Sequence, residues 1–259
     1  MDRILKYYMF DFDNNILHMP TPIHMIYSGT PISILPGEFA KIRALPEWIP
    51  GDNAFDEFRD YGPRGVNAFP EDVKFSINME LYGPCWESFV NVLINAEIFL
   101  IVTARGHSSQ TLKSTIRYII DTVLTDEQKI TMTHNIMYLL GIFKDNKVNR
   151  DELIDAYLNY CVFMGIYSED FVNEYGYTPK ENSPEYSKEL VIKSFINLIN
   201  QHNQKLGYKV MVGFSDDDKG NIKQIKNFLK KSDWDTVVGM YVYDTSNPKK
   251  IKKTTIKES

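Results

Sequence analysis

The chain has 259 residues, 43% of them hydrophobic and 24% charged, a balance that fits a folded globular protein and excludes a disordered or fibrous one. No apolar run approaches the ~20 residues that span a bilayer, and the formal net charge of -5 argues against polyanion binding over the whole body. Cys85 and Cys161 lie far apart without metal-ligand spacing, so they read as free thiols of a reducing compartment.

Met1-Asp2-Arg3-Ile4 leads directly into a strand. That leaves no room for a signal peptide and makes the cytoplasm the expected location. The apolar run Tyr7-Tyr8-Met9-Phe10 ends in Asp11-Phe12-Asp13-Asn14-Asn15. Alternate side chains of a strand share a face, so Asp11 and Asp13 lean the same way where it runs out. A parallel sheet binds ligands at the carboxyl ends of its strands, which makes this pair the first candidate site. Residues 18–84 follow as a predicted insertion over it. Within them, 23–34 read as a flap or hairpin, and short helices are expected near 37–45 and 54–61.

Residues 86–95 have helical periodicity, and 98–102 form an unbroken apolar run suited to a strand buried on both faces. That strand ends in Thr103-Ala104-Arg105-Gly106, ahead of a helix carrying Leu112, Ile116, Ile119 and Ile120. Residues 125–182 read as mostly helical, opening with the capping box Thr125-Asp126-Glu127-Gln128. They are expected to be a second insertion or extra layers on the core. Residues 145–149 lack the glycine and regular ligand series of a calcium loop, so no calcium site is assigned there.

Ser183-Pro184 is a helix start, and Gly207 ends that helix. Residues 209–214 are another buried strand, running into Ser215-Asp216-Asp217-Asp218 and an amphipathic helix. A last strand is predicted near 236–243. Residues 249–259, opening with the lysines of 249–253, read as a basic, solvated, flexible tail, with a nucleic-acid contact possible but not favoured. Strands that end in polar residues and lead into helices make an α/β fold with a parallel sheet.

If those strands are neighbours, Asp11, Asp13, Asp216 and Asp217 converge. Two carboxylates about 4 Å apart repel by roughly 4 kcal/mol at an effective dielectric near 20. Such a cluster calls for a cation, and hard oxygen ligands select Mg²⁺. A phosphate ester suits the remaining parts: a hydroxyl at Thr103, a lysine, and an aspartate able to attack phosphorus.

In order and spacing these stations resemble those of the haloacid dehalogenase (HAD) superfamily of phosphohydrolases. The resemblance implies Asp11 as nucleophile, Asp13 as general acid/base, Thr103 as phosphate-binding hydroxyl, and Asp216 and Asp217 as the acidic pair completing a Mg²⁺ site with Asp11 and Asp13. It also calls for a lysine near the start of the helix before the last acidic strand. Lys188 and Lys193 compete; Lys188, three positions before Val191, falls on the apolar stripe and is preferred. Asn15 departs from the Thr or Val usual there and is assigned beside the substrate. Arg105 is expected to hold a substrate phosphate or to pair with an aspartate of the insertion.

The fold this implies is a Rossmann-like HAD core (1–17, 85–124 and 183–248) with a parallel sheet, helices on both faces and inserted cap segments at 18–84 and 125–182. The function it implies is Mg²⁺-dependent hydrolysis of a small phosphorylated metabolite or nucleotide. A non-catalytic binding protein on the same fold and a phosphatase of nucleic-acid ends stay open. A phosphoacceptor receiver domain fits poorly, because its acceptor follows the third strand. Asp218 is expected to cap a helix, Asn221 to orient an aspartate or cap a turn, and His24 and His107 to pack. Trp48, Phe55, Phe58, Tyr61 and Phe69 are expected to form the insertion's own core or to touch substrate.

Overall fold

The computed structural model describes residues 4–43, 45–142, 149–177 and 183–258. Most of the segment weighed as a calcium loop, 145–148, lies outside them. In chain order the elements are β1 (Ile4–Phe10), β2 (Ile23–Tyr27), β3 (Thr30–Ile34), α1 (Pro36–Ile42), β4 (Trp48–Pro50), α2 (Ala68–Asn78), α3 (Trp86–Ile94), β5 (Phe99–Thr103) and α4 (Ser109–Val123). They continue with α5 (Asp126–Leu139), α6 (Arg150–Leu158), β6 (Val162–Gly165), α7 (Glu169–Tyr175), α8 (Pro184–Leu206), β7 (Lys209–Asp216), α9 (Lys219–Lys231), β8 (Val237–Asp244) and β9 (Lys252–Glu258).

Six strands form the main sheet in the order β6-β5-β1-β7-β8-β9. The first five run parallel, and β9 is antiparallel to β8. The chain builds outward from β1 through β5 and β6, then crosses to the other side for β7 and β8. The order therefore reverses between β1 and β7, the switch point at which open α/β sheets bind ligands. The register sets Phe10 opposite both Ile101 and Ser215. Asp11 and Asp216, one residue further along, consequently emerge side by side.

Alternation along the strands supplies two cores. Phe10, Phe99 and Ile101 join Phe89, Ile116 and Ile120 on one face. Met9, Leu100 and Val212 join Ile192, Phe195 and Ile225 on the other. All five residues of β5 are buried, as a central parallel strand requires. Local signals set the helix ends. Ser183 accepts a hydrogen bond from the Tyr186 amide at the start of α8, and Gly207 closes that helix at φ +70°. The capping box at Thr125 and Gln128 forms at the start of α5.

Of the two alternatives for residues 125–182, the described part shows extra layers on the core: β6 extends the main sheet beside β5, and Met132, Ile136 and Tyr157 join the core around Phe99. The four-residue strand was hidden because helical segments flank it on both sides. Residues 252–258 are not a free tail. They form edge strand β9, whose β-branched Thr254, Thr255 and Ile256 suit a half-covered strand. Ile256 packs on the second core.

Residues 18–84 contain a three-stranded antiparallel sheet, β3-β2-β4, with α1, α2 and short turns. Ile23, Met25, Ile34, Ala54 and Phe58 make a small core of its own, while Phe69 and Val73 of α2 enter the main core. The segment closes at Gly83, where a Cβ would stand 2.5 Å from the Asn15 carbonyl oxygen, so only glycine allows this approach. Among the described residues no helix is long and apolar enough to cross a membrane.

Candidate active site at the carboxyl ends of the strands

Lys188 organises the site. It lies in the second turn of α8, on the face that carries Val191, Ile192 and Phe195 into the core, and its side chain is 2% exposed. Its ammonium donates to Asp11 Oδ1 at 2.6 Å and to Asp216 Oδ2 at 2.8 Å. Lys193 points to solvent, as the periodicity predicts. Asp216, fully buried at the end of β7, also accepts from Asn221 Nδ2 at 2.9 Å and from the Asp218 amide at 2.8 Å. Asn221 thus orients an aspartate, and Asp218 caps α9 by accepting from the Gly220 and Asn221 amides.

Asp11, Asp216 and Asp217 each offer an oxygen, and these oxygens lie within 4.8 Å of one another. Burial raises Asp11 well above the ordinary carboxylate range; Lys188 opposes this, and Asp216, Asp217 and Asp13 add to it. Burial, then Asp216, push Asp217 up to about 7. Burial alone would depress Lys188, but Asp11 and Asp216 hold it above its usual value, as a charged ammonium. One ammonium faces three carboxylates, and their all-oxygen donor set fits a hard divalent cation such as Mg²⁺.

Asp13 does not belong to that triad. Its carboxylate turns to Arg105, which donates from Nε to Oδ2 at 2.8 Å and from Nη2 to Oδ1 at 2.6 Å. Thr103 Oγ1 stands 3.4 Å from the same Oδ2. The Asp13 carboxylate, expected among the metal ligands, therefore stands outside the triad, with a two-pronged guanidinium on its oxygens. Arg105, fully buried, meets the core's own Asp13 and not an aspartate of the insertion, while its buried Nη1 has no hydrogen-bond partner. It also donates to Thr21 Oγ1 at 2.8 Å and lies 4.6 Å from the Phe58 ring centroid and 5.0 Å from that of Phe69. Thr21 donates in turn to Asp72, and Arg64 clamps Asp72 at 2.7 and 3.0 Å. This relay from the insertion to Asp13 leaves no sequence signal, because its members are scattered through 13–105.

Asn15 is not a substrate contact. It is fully buried, donates to the Asp11 carbonyl and Ser215 Oγ, both at 2.9 Å, and accepts from Thr245 Oγ1 at 2.9 Å. Its amide ties the ends of β1, β7 and β8 together, which an oxygen-only or apolar side chain could not do. His107 packs against Phe69 at 5.4 Å and bonds Asp60 at 2.9 Å; His24 bonds Ser33 at 3.0 Å. Of the singled-out aromatics, Phe58 enters the insertion's core with Phe55 and Trp48 against it, Phe69 joins the main core, and Tyr61 is exposed.

Above the carboxylates opens a cavity of about 460 Å³. Asp11, Asp13, Thr103, Lys188, Asp216 and Asp217 all line it, so the strand ends meet in one place. Ile23, Phe39, Arg43, Phe55, Phe58 and Arg59 of residues 18–84 line it as well. Compared with family models, with curated proteins and with solved structures, the chain matches none.

Proposed function

We propose that the protein is a Mg²⁺-dependent phosphohydrolase of the HAD type that cleaves a phosphate monoester through an aspartyl-phosphate on Asp11, with residues 18–84 as its cap. One arrangement carries this reading: Lys188 bridging Asp11 and Asp216 at the sheet's switch point, with Asp217 in the same group of oxygens. Asp11, Asp216 and Asp217 would hold the Mg²⁺, which supplies positive charge against the phosphoryl oxygens.

The side chains divide the remaining work. Lys188 occupies Oδ1 of Asp11, leaving Oδ2 to attack phosphorus. A bond forms between Oδ2 and phosphorus as the bond to the leaving oxygen breaks; Asp13 lines the same cavity and is the group to pass that oxygen a proton, which requires one of its oxygens to leave Arg105 and take up the proton first. Asp13 then takes a proton from the water that attacks the phosphoryl group, releasing Asp11 and inorganic phosphate. Arg105 and Thr103 fix the orientation of Asp13 toward the cavity. A cavity of about 460 Å³ suits a small phosphorylated metabolite or nucleotide. Asn15 and the large insertions leave room for the non-catalytic alternative; the bonds of Asn15 to Ser215 and Thr245 support a structural task for it beside the chemistry.

Hydrolysis of an aryl phosphate is expected to require Mg²⁺ and to fall by at least about a thousandfold in Asp11→Asn. Mg²⁺ binding without turnover of any phosphate ester would leave a binding protein on the same scaffold.

A further inference from the structure

The cavity has two unlike halves. Its floor is the charged group around Lys188. The lining from residues 18–84 carries an apolar group beside Arg43 and Arg59: Ile23 of β2, Phe39 of α1, and Phe55 and Phe58 from the turn before α2. Phe39 meets Phe55 edge to face at 5.4 Å, and Phe55 meets Phe58 at 6.0 Å. Phe39 and Phe55 are only half-buried. Rings that served only the insertion's own core would be covered on all sides, whereas these face the cavity that holds Asp11.

The cations of this wall are engaged. Arg43 is paired with Asp218 at 2.8 Å, and Arg59 donates to the Tyr61 hydroxyl at 2.6 Å. A polyol placed against Phe39 and Phe55 would press hydroxyls on rings that offer no donor or acceptor, while polar partners such as Asn14, Tyr167 and Glu185 lie elsewhere on the lining. A flat ring would instead stack or meet edges with Phe39 and Phe55. We infer that the substrate of this site is a phosphate monoester whose body is a planar, weakly hydrogen-bonding ring, held by Phe39, Phe55 and Phe58, and not a sugar phosphate. This rests on the phosphohydrolase reading and deepens it.

Benzyl phosphate and a hexose 6-phosphate test it, because both leave as primary alcohols and differ only in the body. Acetyl phosphate, too small to reach the rings, reports on the floor alone. The expected result is kcat/KM at least about tenfold higher for benzyl phosphate than for the hexose ester. Phe55→Ala is expected to reduce that preference, chiefly through KM, and Phe55→Leu to reduce it less. Calorimetry on Asp11→Asn is expected to show benzylphosphonate binding more tightly than methylphosphonate. Acetyl phosphate hydrolysis with equal or better use of the hexose ester overturns the ring inference and leaves the phosphohydrolase standing. Failure to hydrolyse any of the three phosphates overturns both. If Phe55→Ala does not fold, the comparison of the two esters on the unaltered protein still decides.

Discussion

Lys188 shows how much one side chain can carry. An ammonium that is 2% exposed is stable only because two carboxylates meet it. Removing it would leave Asp11 and Asp216 facing each other with nothing between. Lys188→Met is therefore expected to destabilise the protein by about 3–5 kcal/mol in urea unfolding without Mg²⁺, and Mg²⁺ is expected to restore part of that loss by drawing the carboxylates together. An unchanged unfolding midpoint would mean that the lysine is not the counter-charge described here. Lys188 was legible in the sequence, since a lysine within an apolar stripe must find a partner. The fate of Asp13 was not. Nothing local says that Arg105, two residues past the end of another strand, would claim both of its oxygens.

At the scale of elements, residues 18–84 are tied to the start of α4 through Asp60. Asp60 accepts from the Ser108 amide, Thr111 Oγ1 and His107 Nδ1, at the start of α4. Burial, and then Arg105 nearby, lower His107 to about 4, so it is neutral in the fold and donates to Asp60. The unfolded chain gains a proton at an ordinary histidine value near 6.5, while the folded chain resists until about pH 4. The stability this group provides is present above about pH 6.5 and is lost as the pH falls toward 4. The drop in unfolding free energy from pH 7 to pH 5 is expected to be larger in the unaltered protein than in His107→Gln. Equal drops in both would show that His107 titrates normally.

The whole molecule is a parallel sheet that must deal with its open edge. Strand β8 would expose unpaired backbone groups if the chain stopped at residue 248, and β9 covers them. Two of the terminal lysines are put to use in doing so: Lys257 pairs with Asp233 at 2.6 Å, and Lys253 lies 3.9 Å from the Tyr241 ring centroid. Deleting 249–259 is expected to cost about 2 kcal/mol through lost burial of β8 and Ile256 and to promote aggregation, both readable from thermal melts and light scattering. A melt unaffected by the deletion would return this segment to the solvated tail that its composition suggests. The α/β class, the principal strands and their acidic ends, the caps of α5, α8 and α9, and the inward lysine are all legible in the linear chain. Periodicity, capping chemistry and strand-end polarity are properties of a dozen neighbouring residues, and those can be read in line. Which carboxylates cluster around Lys188, and which one is held by Arg105, came from the fold alone. It alone also made Asn15 a staple, turned the wall of residues 18–84 toward Asp11, and paired 252–258 with β8. Each of these depends on contacts between residues tens to hundreds of positions apart, where the winning partner is set by strand order and register and not by anything in the adjacent chain.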